Sequence, residues 1–232
     1  MDLFKVLYRI YEERKEEIIK IFPLRNWNEI YYNKSPETYT SVNEIISYYE
    51  KNKIFTSCFV DSYKSLWYKN KNNFDDSLSI VNNNLKLDDH ILKNQGRFII
   101  SDWKRSCVSS VVIDYGLLKR RLLDIRSFKN YINLLDEDIL KINRSLLSLS
   151  NLVVLHRVFS EIYSRIIKSK KTFAFHKNPL KIGGNYFLCI NNLKALGHNY
   201  FSICHRKCYE ISLNNLQKLI LEKICSLNKN QN

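Results

Sequence analysis

Between Gly116 and Pro179 the chain runs for 62 residues without a glycine or a proline. Glycine supplies the positive φ of tight turns and proline breaks helices and strands, so such a stretch has few ways to reverse sharply. Its apolar residues recur near helical spacing: Leu117, Leu118, Leu122, Ile125, Phe128, Tyr131, Ile132 and Leu135 mark a first segment. Ile139 to Leu149 and Leu152 to Ile167 mark two more. The pattern predicts a helical bundle from Tyr115 to Lys170. Asp136-Glu137-Asp138 predicts a helix start inside it, because acids suit the positive end of the helix dipole.

Upstream, residues 2–22 predict an amphipathic helix that Asp2 caps and Pro23 ends. Glu12, Glu13, Glu16 and Glu17 lie among Arg9, Arg14 and Lys15. They read as a solvated face laced with short-range ion pairs, rather than as catalytic carboxylates. Ser35-Pro36-Glu37 marks a helix start running towards Tyr49, with proline at the first helical position. Residues 54–68 fit a strand or a helix. The stretch 69–76 (KNKNNFDD) is the most loop-like and sets the expected boundary. A small helical unit, 1–70, would precede a bundle with a basic sheet, 75–232, unless the two form one domain.

Residues 76–93 predict a further helix, punctuated by Gln95-Gly96. The apolar runs Phe98–Ile100 and Val108–Ile113 would pair as strands or lead into the next helix. After Lys171 the pattern shortens. Thr172–His176, Tyr186–Ile190 and Tyr200–Cys204 are aromatic and β-prone, and Gly183-Gly184-Asn185 is a turn signal. They predict a small antiparallel sheet at 172–204 and a closing helix from Ser212 to Cys225. The expected class is α+β, mainly α, with the sheet near the C-terminus.

Composition enters through charge. The chain has 37 basic and 23 acidic residues, a formal net of +14. It also has 26 Asn, 26 Ile and 25 Lys against 2 Ala, the codon signature of an AT-rich genome, so part of the lysine excess reflects coding bias. Bias does not remove acids from one region. Residues 1–50 carry 7 basic and 9 acidic side chains, and residues 151–232 carry 13 and 3. A localised positive field attracts polyanions.

The basic third holds the candidates for phosphate contact: Lys168, Lys170, Lys171, Lys177, Lys181, Arg206 and Lys207. Cationic donors in a cluster release counterions from a phosphate backbone. Phe173, Phe175, Tyr186, Tyr200 and Phe201 would stack on bases or fill the core. The competing reading is a solvated basic surface over an aromatic core. A second candidate is metal-independent RNA cleavage by His176, His198 or His205, the residue type suited to proton transfer near neutral pH. A third is a zinc site from Cys189, His198, Cys204 and Cys208, in which Cys204 to Cys208 is a C-x₃-C knuckle without a matching second one. Lys119-Arg120-Arg121, with Arg126 and Lys129, reads either as a recognition helix or, more simply, as the exposed face of a bundle helix.

The exclusions are firmer. The chain contains no G-x-x-x-x-G-K-[ST], no G-x-G-x-x-G, no H-E-x-x-H and no G-x-S-x-G. Its five glycines leave little for backbone phosphate cradles. No cofactor is expected. The six cysteines lack framework spacing, no export signal or membrane span is visible, and a cytoplasmic location is the expectation. The leading functional expectation is a non-enzymatic RNA- or DNA-binding factor in gene expression or replication. The alternatives are an endoribonuclease or toxin, and a scaffold subunit meeting a protein partner through the first helix.

Overall fold

Leu3–Glu13 (α1) and Lys15–Ile21 (α2) form the expected amphipathic N-terminal segment, interrupted by a turn at Arg14. The Arg14 amide still donates to the carbonyls of Ile10 and Tyr11, so the interruption costs few hydrogen bonds. Glu12, Glu13, Glu16 and Glu17 are exposed, and Arg14 pairs with Glu17 at 2.7 Å, as a solvated face predicts. A computed structural model describes residues 3–33, 40–82, 91–94, 97–100, 104–123, 132–133, 136–137, 139–140, 143–168, 179–197 and 203–229. The chain divides into two units, residues 1–31 with 67–154 and residues 32–66 with 155–232.

The first unit contains a three-stranded sheet. Leu24–Arg25 (β1) lies parallel to the central strand, and Leu78–Val81 (β2) lies antiparallel to it. That central strand, Cys107–Ser110, is β5, after the separate antiparallel pair Ile91–Asn94 (β3) and Arg97–Ile100 (β4). Ile80 faces Val108 and Leu78 faces Ser110 in the register. Tyr11, Ile18 and Val108 are buried together, with Phe22, Leu78 and Ile80 packed around them. Ser109 Oγ donates to Arg25 O at 2.8 Å, and the Ser77 and Ser110 hydroxyls meet at 2.6 Å, so small polar side chains are satisfied under the sheet.

Trp27–Tyr32 (α3) is anchored by its first residue. Trp27 N donates to Asp75 Oδ1 at 2.8 Å, and its indole donates to Trp67 O at 3.1 Å. Trp67 lies near the end of Ser57–Lys69 (α5), and the stretch read as a loop at 69–76 instead holds the short helix Lys71–Asp75 (α6), inside the first unit. Val112–Leu122 (α7) follows β5, and Leu146–Ile162 (α8) is the long apolar helix of the glycine-free stretch.

The second unit is helical among its described residues. Val42–Lys51 (α4) is capped by Ser41, whose hydroxyl accepts from Glu44 N at 3.2 Å. The helix thus starts after the Ser-Pro-Glu signal, which falls outside the described residues. A five-residue π-helical turn, Tyr163–Ile167, ends α8, and Pro179–Gly197 (α9) and Ile203–Lys229 (α10) follow. Tyr49, Phe55, Phe59, Tyr63 and Phe159 form a ring cluster, in which Tyr49 OH donates to Phe159 O at 3.0 Å. Tyr209 OH on α10 donates to Leu193 O on α9 at 2.9 Å.

The mainly helical α+β class holds, but the described strands lie between residues 24 and 110 rather than near the C-terminus. Tyr186–Ile190 lies in α9, Gly183-Gly184 sits inside that helix, and α10 begins at Ile203 rather than Ser212. Tyr186, Cys189, Ile190 and Leu193 are buried at i, i+3, i+4 and i+7. Burying that stripe outweighs the roughly 1 kcal/mol that each glycine costs a helix. The strand expected at 172–176 falls outside the described residues. Likewise 78–81 is strand rather than helix, since buried Ser79 and Val81 alternate with half-buried Leu78 and Ile80. The runs at 98–100 and 108–110 are strands, but they pair with β3 and β2, not with each other.

Candidate nucleic-acid interface

The charge asymmetry read from sequence maps onto the units. The second unit contains 17 basic and 7 acidic residues, a net of +10, against +4 in the first. Lys168 caps the π-helical turn, its amide donating to Tyr163 O at 2.8 Å. Its side chain is 62% exposed, with Nζ 3.9 Å from Glu44 Oε1 and 5.7 Å from the Tyr163 ring centre. Tyr163 OH donates to the same Glu44 oxygen at 3.3 Å, and burial, then the Glu44 charge, raises its pKa. Lys168 therefore faces solvent with a carboxylate beside it, and its field is partly cancelled.

Arg206 and Lys207 lie in the first turns of α10, Arg206 half-buried and Lys207 exposed. Lys181 lies in α9, with its side chain outside the described set, and Lys170, Lys171 and Lys177 fall outside the described residues altogether. Of the aromatic candidates, Tyr186 is 5% exposed and belongs to the core. Phe173, Phe175, Tyr200 and Phe201 fall outside the described residues, as do His176 and His198. His205 is half-buried on α10.

The candidate zinc knuckle lies on a helix. Cys204 and Cys208 are one turn apart on α10, Cys208 half-buried, and Cys189 is buried on α9. No group of three or more metal-ligating side chains occurs among the described residues; His198 and the Cys204 side chain lie outside them.

Sequence reasoning missed the solvent face of α10. Tyr209, Leu213, Leu216, Ile220 and Ile224 take the buried side, and Lys207, Ile211, Asn214, Lys218, Leu221 and Lys223 are exposed. None of the ion pairs among the described residues uses Lys207, Lys218 or Lys223. Beside this face, Lys194 Nζ donates to Asn214 Oδ1 and to Gln217 Oε1, both at 2.7 Å. Gln217 Nε2 donates onward to Asn191 Oδ1 at 3.0 Å. The amphipathic period of 207–225 was the available signal, cut short by starting the closing helix at Ser212.

Lys119-Arg120-Arg121 is neither an exposed bundle face nor a recognition helix. Lys119 is 0% exposed and Arg120 is buried, leaving Arg121 alone in solvent. Lys119 Nζ donates to Asp136 Oδ1 at 2.7 Å and to Asn151 Oδ1 at 2.8 Å, and Tyr115 OH donates to the same Asp136 oxygen. Burial lowers the Lys119 pKa, with Asp136 pulling it back. This cluster ties α7 to α8 within the first unit. Arg126 and Lys129 fall outside the described residues.

Among the described residues no helix is long and apolar enough to cross a membrane. Compared with protein-family models, curated proteins and solved structures, the chain matches none.

Proposed function

We propose that the protein binds nucleic acid through its second unit, as an accessory factor rather than an enzyme. The observation that carries this reading is the exposed lysine set on α10, Lys207, Lys218 and Lys223, outside every ion pair among the described residues, in a unit with a net charge of +10. Unpaired surface ammonium groups on a rigid helix gain most from replacing the counterions of a polyphosphate. The half-buried Arg206 and the basic segment containing Lys170, Lys171, Lys177 and Lys181 would extend the contact.

The test is a titration of the full chain with labelled single-stranded and duplex oligonucleotides over rising salt. The reading predicts a linear fall of log affinity with log salt, weakened by charge reversal at Lys170 and Lys171. Absence of binding at low salt overturns it.

A second reading, an interaction subunit docking through the first helix, draws on two apolar side chains one turn apart. Val6 is 51% and Ile10 is 40% exposed on α1. Replacing both with Glu would then shrink the native complex in a cell extract. A wild-type chain already running at monomer size removes this reading.

A further inference from the structure

The cluster around Lys194 has a hydrogen-bond polarity that its chemistry fixes. An ammonium group has three donors and no acceptor, so any amide within bonding distance must present its oxygen to it. Asn214 and Gln217 both do so, at 2.7 Å. Gln217 has then spent its oxygen and meets Asn191 with its NH₂, so Asn191 must present Oδ1 in turn, at 3.0 Å. All three amide oxygens are thus engaged by a donor within the cluster. The N–H groups that these bonds leave over are the third N–H of Lys194, the NH₂ groups of Asn191 and Asn214, and the second N–H of Gln217.

Asn191 and Asn214 are exposed, and Lys194 and Gln217 are half-buried. The donors are therefore side-chain groups tied to one another by hydrogen bonds at the surface. Burial lowers the Lys194 pKa, and the neighbouring Glu210 opposes that shift. Glu210 works against an anion here, as does Glu222 further along the helix, while Lys207 and Lys218 stand exposed on the same helix. A set of N–H donors tied around one positive charge suits tetrahedral phosphate oxygens, and the ammonium charge disfavours a cation.

We propose that Lys194, Asn191, Asn214 and Gln217 form a phosphate-binding subsite between α9 and α10, which takes a backbone phosphate of a nucleic acid. The assignment deepens the nucleic-acid reading above and rests on it.

The deciding variant is Asn214→Asp. It is nearly isosteric, sits on the surface and still accepts from Lys194, so the helix pair stays folded. It replaces a donor with a carboxylate and neutralises the ammonium. Two measurements on the full chain separate the possibilities. In the first, inorganic phosphate is titrated against chloride at equal ionic strength, while the side-chain NH₂ resonances of Asn191, Asn214 and Gln217 are followed by NMR. Phosphate should shift them saturably in the wild type, and the Asn191 and Gln217 shifts should vanish in Asn214→Asp. Equal responses to chloride and phosphate overturn the subsite. In the second, affinity for a short single-stranded oligonucleotide is measured over rising salt. Asn214→Asp should weaken binding by roughly 10- to 100-fold, the worth of one charge-assisted contact. It should also flatten the log-log salt slope by about 0.7, the share of one phosphate. Wild-type affinity and slope in the variant overturn the subsite alone. A wild-type chain that binds phosphate but no oligonucleotide overturns the nucleic-acid reading, and the backbone-phosphate assignment with it.

Discussion

The Lys119 ammonium sits 2.7 Å from the Asp136 carboxylate and is itself wholly withdrawn from solvent. Such a pair gains little net stability from its charges, because desolvation offsets most of the attraction. Its members are nevertheless costly to separate. Asp136→Asn leaves a buried cation held only by neutral groups and should cost about 3–5 kcal/mol in urea unfolding. Lys119→Met, which removes the buried charge itself, should cost markedly less. Equal losses would show that packing, not charge, holds this corner.

Gly116 lies where α7 meets α8. A Cβ there would stand 2.6 Å from Val153 Cγ1 and 3.2 Å from its Cβ. Valine on a helix has one dominant rotamer and cannot swing aside. Gly116→Ala should therefore destabilise by about 1–3 kcal/mol despite its better helix propensity. Adding Val153→Ala should recover part of the clash term, giving a non-additive double-mutant cycle. Stabilisation by Gly116→Ala alone would contradict the close approach.

His156 is buried on α8 in the second unit, where burial lowers its pKa to about 4 and a backbone hydrogen bond involving Thr40 opposes the shift. The unfolded chain binds the proton near pH 6.5, so between that value and about 4 unfolding takes up a proton and stability falls as the pH falls. The loss is complete below about pH 4 and amounts to roughly 3 kcal/mol. Urea midpoints of wild type and His156→Gln between neutral and mildly acidic pH measure it. The difference between the two should shrink with acidification; a constant difference would contradict it.

The thiols should divide by exposure. Burial pushes the Cys107 thiol up to about 12, and Cys189 is also buried, whereas Cys225 is exposed. Thiolate is the reactive form. Alkylation of the native protein should modify Cys225 first, and Cys107 and Cys189 only after denaturant is added. Mass spectrometry of the peptides reads this directly, and early labelling of Cys107 would contradict the sheet packing around β5.

What was legible in the sequence followed periodicity. The long run without Gly or Pro carries the second half of α7 and all of α8, and Pro23 closes the N-terminal helical segment. Misreadings arose where a local signal competed with burial. Gly183-Gly184 signals a turn, yet the apolar stripe from Tyr186 to Leu193 keeps α9 helical through it. Lys119 looks like a surface residue because nothing nearby in sequence announces that Asp136 and Asn151 will close over it. The Lys194 cluster had no sequence signal at all. Its four residues become neighbours only when α9 and α10 pair.

The central claim is that the exposed lysines of α10, Lys207 and Lys218 on one face and Lys223 further round the helix, act together on a polyphosphate. It is tested most directly by the salt dependence of oligonucleotide affinity for the wild type beside Lys207→Glu/Lys218→Glu/Lys223→Glu, with circular dichroism confirming equal helix content. The account predicts that the triple variant binds far more weakly and that its log-log slope is flatter by up to about 2, from three lost phosphate contacts on a single strand. An unchanged affinity and slope would contradict it.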